Sequence, residues 1–129
     1  MKLILILSAS YFVLISCNSN SQTDEKFKIE NDKLIQEYKD ENQNFIKKNA
    51  YKLSDEVMGK ALDSIAKVYM VDKNKKLAEE FINTQSGLKR LNFLKNFYTK
   101  AEIKELIKKV PEKLKTDIHF IELKKYIKE

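Results

Sequence analysis

The sequence predicts an all-α protein, a small bundle of about five to six short amphipathic helices that follows an N-terminal signal segment. Only two glycines and one proline occur among the 129 residues, and an all-β or α/β domain of this size needs more turn-forming residues. Apolar residues recur at helical spacings, and the residues between them are rich in lysine and glutamate. Such a pattern is typical of surface helices with one apolar face.

Residues 1–16 resemble a secretory signal peptide. Lys2 supplies a positive charge, residues 3–15 are mainly apolar, and Ser16 is a small residue before the expected cleavage point. The apolar run is shorter than the ~20 residues that a transmembrane helix needs. We therefore expect cleavage and not a membrane span.

The residues around the cleavage point resemble the lipobox of bacterial lipoproteins. This motif consists here of Leu14, Ile15, Ser16 and Cys17. The resemblance implies that Cys17 becomes the new N-terminus and carries acyl chains such as palmitate, which hold the protein to a membrane. Cys17 is the only cysteine, so an intramolecular disulfide is excluded. Two other interpretations stay open: an unmodified cysteine after a plain signal peptide, or a buried apolar strand.

We expect residues 17–25 to consist of the acylated cysteine followed by a flexible polar tether. At about 5–6 Å × √n, this tether keeps the domain within ~15 Å of the lipid. In lipoproteins of this kind an aspartate after the cysteine signals retention in the inner membrane, so Asn18 favours the outer membrane. We expect a cell-envelope protein, and the leaflet stays open.

We expect residues 26–129 to form the helical domain. Within it, residues 26–73 are expected to form a long helix followed by a second one. The long helix has a narrow apolar face formed by Phe27, Leu34, Tyr38 and Phe45, with Ile35 and Ile46 beside it. Ser54 is the expected N-cap of the second helix. That helix has a wider apolar stripe, which consists of Val57, Met58, Ala61, Leu62, Ile65, Val68 and Tyr69.

Residues 74–129 predict four short helices joined by short links. We expect residues 71–74 to end the second helix, with Asn74 as the cap of the next, and residues 84–87 to form a loop. Thr99 and Glu102 have the spacing of a capping box.

The end of the chain has two further boundary signals. Pro111 is expected to end one helix or begin the next turn. Asp117 or Thr116 is the expected cap of the last helix.

The net charge of +6 comes almost entirely from lysine, since Arg90 is the only arginine. Arginine is preferred where proteins recognise phosphates and base edges, so we expect no nucleic-acid partner. Lysines scattered over helices indicate a solvated surface, and contact with anionic lipid headgroups near the anchor is the alternative.

Four segments together resemble a known envelope module. They are residues 80–86 (EFINTQS), 88–98, 105–115 (ELIKKVPEKLK) and 124–127 (KKYI). This pattern is similar to the helical segment that precedes the thioredoxin-like domain in envelope lipoproteins of the thiol-disulfide oxidoreductase (AhpC/TSA, TlpA-like) family. The resemblance implies a helical envelope module.

The departures from that family concern its chemistry. Full members have a thioredoxin fold with a Cys-x-x-Cys pair, whereas this chain ends at Glu129 and its only cysteine is Cys17. Thiol-disulfide exchange needs an attacking thiolate and a resolving partner. We therefore expect no redox activity and carry over no catalytic residue.

No residue set predicts a catalytic centre, a metal site or a cofactor. His119 is the only histidine and is expected to be a surface or boundary residue. Phe93, Phe97 and Tyr98 are more aromatics than one short helix needs. Core packing is the favoured interpretation for them, and a partner-facing patch is the alternative.

The sequence thus favours a non-enzymatic, lipid-anchored helical module that binds an envelope protein or a ligand. Two alternatives stay open. One is a truncated relative of the thioredoxin-like lipoproteins that acts with a separate oxidoreductase, and the other is a small immunity or inhibitor lipoprotein. Because fold does not imply function, the sequence does not choose among them.

Overall fold

A computed structural model describes residues 22–129, and they are helical apart from short connections. The α-helices are α1 (Asp24–Asn49), α2 (Asp55–Lys67), α3 (Asn74–Glu80), α4 (Gln85–Phe93), α5 (Lys100–Ile107) and α6 (Ile118–Tyr126). A π-helical segment, Val68–Lys73, joins α2 to α3, and 3-10 turns lie at Lys95–Phe97 and Glu112–Leu114. Residues 22–129 contain no strand, which confirms the all-α class. None of their helices is long and apolar enough to cross a membrane.

Helix α1 begins inside the stretch that the sequence assigned to the flexible tether, so that boundary was wrong. The hydroxyl of Thr23 accepts a hydrogen bond from the backbone N–H of Lys26 at 3.2 Å and caps the helix. Asp24 and Glu25 lie in the first turn, where the helix dipole favours negative charge. The Asp24 carboxylate also accepts a hydrogen bond from the backbone N–H of Ser86 at 2.7 Å. This contact fixes the start of α1 against α4.

The second half of α1 packs with α2 as a helical hairpin. The Ser54 hydroxyl caps α2, as predicted. The rings of Tyr38 and Tyr69 pack together at 5.6 Å between centroids. Although α2 carries a wide apolar stripe, none of its residues is fully buried, and Val57 remains 48% exposed. Two helices cover each other on one side only, so the hairpin has a half-buried seam and no closed core.

The predicted break at residues 71–74 is wrong, since the chain passes from α2 into α3 through the π-helical segment. Asn74 has helical backbone angles and does not cap a helix end. Its side-chain amide instead donates to the backbone carbonyl of Tyr69 at 2.7 Å. A π-helix displaces backbone carbonyls from their regular partners, and the Asn74 amide satisfies one of them.

The main core lies among α3, α4, α5 and α6. Its buried residues are Ala78, Ile82, Leu88, Leu91, Leu94, Tyr98, Ile103, Leu106, Ile107, Val110 and Leu123. A second, smaller cluster joins α1 to this unit through Phe27, Leu77 and Phe81. The rings of Phe27 and Phe81 meet edge to face at 5.6 Å. The first turns of α1 are therefore part of the folded domain.

Helices α5 and α6 begin at local side-chain caps. Thr99 and Glu102 form the predicted capping box at the start of α5, with both reciprocal hydrogen bonds present. Asp117 caps α6 by accepting from the backbone N–H of His119 at 2.8 Å. Pro111 precedes the turn Glu112–Leu114, which agrees with its predicted place at a helix boundary.

The expected loop at residues 84–87 is shorter than predicted, because α4 already begins at Gln85. The Thr84 hydroxyl donates to the backbone carbonyl of Phe81 at 2.8 Å and accepts from the backbone N–H of Gly87 at 3.0 Å. A Cβ atom on Gly87 would lie 1.9 Å from the Phe81 carbonyl oxygen. Only glycine allows this close approach of α4 to the end of α3.

The two glycines should respond in opposite directions to alanine. Gly87→Ala is expected to lower the free energy of unfolding by about 1–3 kcal/mol, because backbone atoms must move apart. Gly59→Ala is the matched control: it lies inside α2 with no atom within 4 Å of the added Cβ. It is expected to raise stability by about 0.5–1 kcal/mol. Chemical denaturation followed by circular dichroism measures both, and equal effects would contradict the close approach.

The contact between α1 and α4 should depend on pH through Asp24. Hydrogen bonding to Ser86 lowers the pKa of Asp24 below its usual value of 3.8. A carboxylate with a lowered pKa stabilises the fold above its unfolded-state pKa, and this stabilisation is lost as the pH falls through the folded-state pKa. Asp24→Asn should therefore destabilise the protein near neutral pH, and its difference from wild type should shrink below about pH 4.

The control for this prediction is Glu25→Gln, which removes a charge of the same sign from the same helical turn. Glu25→Gln should lower the free energy of unfolding only by the amount that a negative charge contributes through the helix dipole. If the free energy of unfolding depends on pH in the same way in both variants, the hydrogen bond from Ser86 is not the cause of the pH dependence.

Candidate partner-binding surface

The three aromatics that the sequence singled out have different environments. Phe93 is 81% exposed and Phe97 is 55% exposed, whereas Tyr98 is only 6% exposed. The Tyr98 hydroxyl donates to the backbone carbonyl of Lys75 at 3.1 Å, and burial raises the pKa of this phenol. Tyr98 is thus a core residue, as the favoured interpretation predicted, whereas core packing was the wrong interpretation for the exposed Phe93 and Phe97. Two aromatics remain available at the surface.

Tyr98 is buried because of the chain path after α4. The turn Lys95–Phe97 ends the helical conformation, and Tyr98 adopts an extended backbone. This change directs its ring into the core, where it packs with the main cluster. Sequence spacing on one continuous helix could not reveal this change of direction.

Phe93 lies beside a groove of about 520 Å³ between the start of α1 and α4. We call it the Phe93 groove, and its lining residues are Phe27, Ser86, Lys89, Arg90 and Phe93. Phe27 is buried, while Lys89 and Phe93 are exposed. Phe97 does not line it. The groove therefore combines an aromatic surface with two neighbouring positive charges.

Arg90 is held in this groove by side chains from two other helices. Its guanidinium donates to the Asn31 amide oxygen at 2.8 Å and also to the amide oxygen of Asn74. It lies 5.5 Å from the centre of the Phe27 ring, within the range of a cation–π contact. Burial lowers the pKa of Arg90, but a guanidinium keeps its proton in proteins.

Arg90 has no acidic partner within residues 22–129, since the ion pairs found there join other residues. Amide oxygens carry only partial charge, so they satisfy donors without neutralising the cation. A guanidinium has five N–H donors, and the two asparagines account for two hydrogen bonds. Arg90 can therefore bind a carboxylate that another molecule supplies.

Sequence analysis did not identify Arg90 as part of a site. Its signal was compositional, because it is the only arginine in a chain with many lysines. Arginine and lysine are not equivalent where a planar, forked donor is needed. Asn31 and Asn74 gave no such signal, since their role depends on helices that meet only in the folded chain.

His119 is partly exposed, as expected for a surface or boundary residue, and it lies where α6 faces α4. Its ring Nδ1 is 3.2 Å from the side-chain nitrogen of Asn92, which also contacts the carboxylate of Glu122. Within residues 22–129 no group of three or more histidine, cysteine or acidic side chains is placed to hold a metal ion. Asn92 thus joins His119 to Glu122. None of these three residues lines one of the five grooves identified within residues 22–129.

No protein-family model, curated protein or solved structure matches this chain. The resemblance to the segment that precedes thioredoxin-like domains therefore stays a prediction. The lipobox residues Leu14, Ile15, Ser16 and Cys17 lie outside the residues that the structure describes. Lipidation of Cys17 likewise stays a prediction.

The exposed and buried aromatics should differ sharply in their effect on stability. Phe93→Ala is expected to change the free energy of unfolding by less than about 0.5 kcal/mol, as for most surface substitutions. Tyr98→Ala is expected to lower it by about 3–5 kcal/mol, because a buried ring and its hydrogen bond are lost. Urea denaturation compares them. A large loss for Phe93→Ala would show that Phe93 supports the fold and is not free for a partner.

Proposed function

We propose that this chain is a lipid-anchored, non-enzymatic module of the cell envelope that binds a protein partner through the Phe93 groove. The observation that carries the proposal is the half-buried Arg90, which forms no ion pair within residues 22–129 and lies beside the exposed ring of Phe93. Aromatic residues, phenylalanine included, and arginine are enriched in the cores of protein interfaces. The lipobox resemblance at Cys17 supplies the membrane anchor in this proposal.

The chemistry of the groove defines the partner segment. Arg90 and Lys89 favour a carboxylate, either of an acidic side chain or of a chain end, because the guanidinium fork matches its two oxygens. Phe93 and Phe27 favour an apolar side chain next to that carboxylate. The proposed ligand is therefore a peptide segment in which an apolar residue adjoins a carboxylate.

The composition of the groove supports binding over catalysis. Its lining residues include no histidine, cysteine or acid, so no imidazole or thiolate among them is available for nucleophilic catalysis. The backbone N–H of Ser86 is already bonded to Asp24. These residues can position a ligand by charge and contact area, which is what a binding module requires.

A photo-crosslinker tests the proposal in intact cells. p-Benzoylphenylalanine in place of Phe93 should give one reproducible crosslinked envelope protein, whereas the same group in place of Phe97 should not. Lys89→Glu should reduce the yield about tenfold, equivalent to about 1.4 kcal/mol of binding, because it places a carboxylate next to Arg90. Lys52→Glu, at an exposed site before α2, is the matched charge control and should have no effect.

Two results would contradict the proposal. Equal crosslinking from positions 93 and 97, or a yield that is insensitive to Lys89→Glu, would remove the Phe93 groove as the binding surface. The anchor is tested in the same cells: Cys17→Ser should move the protein out of the membrane fraction, and unchanged membrane association would contradict lipidation.

A further inference from the structure

A second groove, of about 350 Å³, lies between α5 and α6, and its lining residues within the described range 22–129 are all lysines or apolar residues. We call it the lysine groove. Its lysines are Lys104, Lys108, Lys115 and Lys124, and its apolar residues are Ile107, Phe120 and Ile127. Lysine side chains around an apolar surface can place their ammonium groups outward while their methylene chains stay in contact with it.

The positive charge of the lysine groove is only partly neutralised. Lys108 pairs with Glu105 and Lys115 with Glu112, both at 2.6 Å. These pairs are solvent-exposed, and such pairs contribute little. Within residues 22–129 neither Lys104 nor Lys124 has an ion-pair partner. The groove therefore has a net positive charge that an anionic surface can balance.

The groove lies in the basic part of the protein. Residues 24–73 contain 10 lysines against 11 acidic residues, so the α1–α2 hairpin is close to neutral. Residues 74–129 contain 14 basic residues against 8 acidic ones. This separation gives the molecule a basic side, and basic clusters close to a membrane are attracted to anionic lipids.

Hydrogen bonds connect the start of α1 to the helix that carries half of this groove. Asp24 accepts from Ser86 at the start of α4, and the neighbouring Gln85 donates to the Asp117 carboxylate at 2.9 Å. Asp117 caps α6 and lies two positions after Lys115. The starts of α1, α4 and α6 therefore meet at one end of the molecule.

The proposed anchor holds this same end near the membrane. Seven residue steps separate Cys17 from Asp24, and a chain of this length spans at most about 25 Å when fully extended. The far end of the α1–α2 hairpin is separated from Asp24 by the 26-residue length of α1, which is about 39 Å at 1.5 Å per residue. The end of the molecule at which α6 begins, with Lys115 two positions before its cap, therefore has the shorter path to lipid.

We infer that the lysine groove binds the anionic phospholipid headgroups of the anchoring membrane and so orients the domain on it. This inference rests on the proposed lipid anchor. The ammonium groups of Lys104 and Lys124 contact phosphate oxygens, while Phe120 and Ile127 contact the apolar boundary below the headgroups. Lysine suits this role because a flexible point charge needs no fixed geometry on its partner.

Lysine reactivity in lipid nanodiscs tests the inference on the full-length acylated protein. The discs contain phosphatidylcholine alone or phosphatidylcholine mixed with phosphatidylglycerol, and mass spectrometry follows acetylation of each lysine. Lys104 and Lys124 should react about fivefold more slowly in the anionic discs, the factor that corresponds to the typical attraction of one basic residue. Lys47 and Lys48, in the last turn of α1, are internal controls and should be unchanged.

A pair of charge-reversal variants separates the groove from general electrostatics. Lys104→Glu combined with Lys124→Glu should abolish the dependence of Lys108 and Lys115 acetylation on lipid charge. The matched double variant, Lys47→Glu with Lys48→Glu, has the same net charge, and in it the acetylation of Lys108 and Lys115 should still depend on lipid charge. Circular dichroism checks that both variants are folded, and the reactivities of wild-type protein test the inference independently of either variant.

The outcomes distinguish the inference from the proposed function. Protein that stays in the discs with equal Lys104 and Lys124 reactivity in both lipids would overturn the headgroup contact and leave the anchor intact. Protein absent from the discs would contradict the anchor and the inference together. Protection by added envelope proteins in discs of either lipid, or by inorganic phosphate in detergent, would assign the groove to another anion and overturn the inference.

Discussion

The guanidinium of Arg90 joins three helices of this protein through a small number of hydrogen bonds. It extends from α4 and reaches Asn31 of α1 and Asn74 at the start of α3. The apolar cluster beneath it is small, with Phe27, Leu77 and Phe81 as its buried members. Because few buried groups connect α1 to α3 and α4, these hydrogen bonds act together with the contacts of Asp24 with Ser86 and of Glu37 with Lys73 to attach it. Arginine does this with uncharged partners, and the same cation remains able to attract a carboxylate.

The described chain has two parts that are stabilised differently. The helices α3 to α6 enclose a closed core, whereas the hairpin of α1 and α2 has a seam that is only half buried. We expect the hairpin to open locally at lower cost than the core, since few buried apolar contacts hold it. Both grooves use the closed core as their support: α4 carries most of the Phe93 groove, and α5 and α6 carry the lysine groove. A rigid support keeps the positions of their charges fixed.

The proposed anchor and the two grooves fit one arrangement on a membrane. The start of α1 is held by Asp24 and Phe27, seven and ten positions after Cys17 in the sequence. The basic helices carry the net positive charge, and the hairpin is nearly neutral. An anionic surface therefore attracts one part of the molecule more than the other. In this arrangement the partner approaches a domain whose orientation is already restricted, which lowers the entropy cost of binding.

The sequence by itself determined the all-α class and the caps at Ser54 and Thr99, and it narrowed the cap of α6 to Asp117 or Thr116, because a cap joins groups within three residues of each other. It also marked Phe93 as a surplus aromatic, but it could not separate Phe93 from Tyr98. The tertiary structure alone decided which ring is buried, and it alone assembled the site around Arg90. The partners of Arg90 lie 59 and 16 positions away. No local pattern records such distant contacts, since they form only when the helices pack.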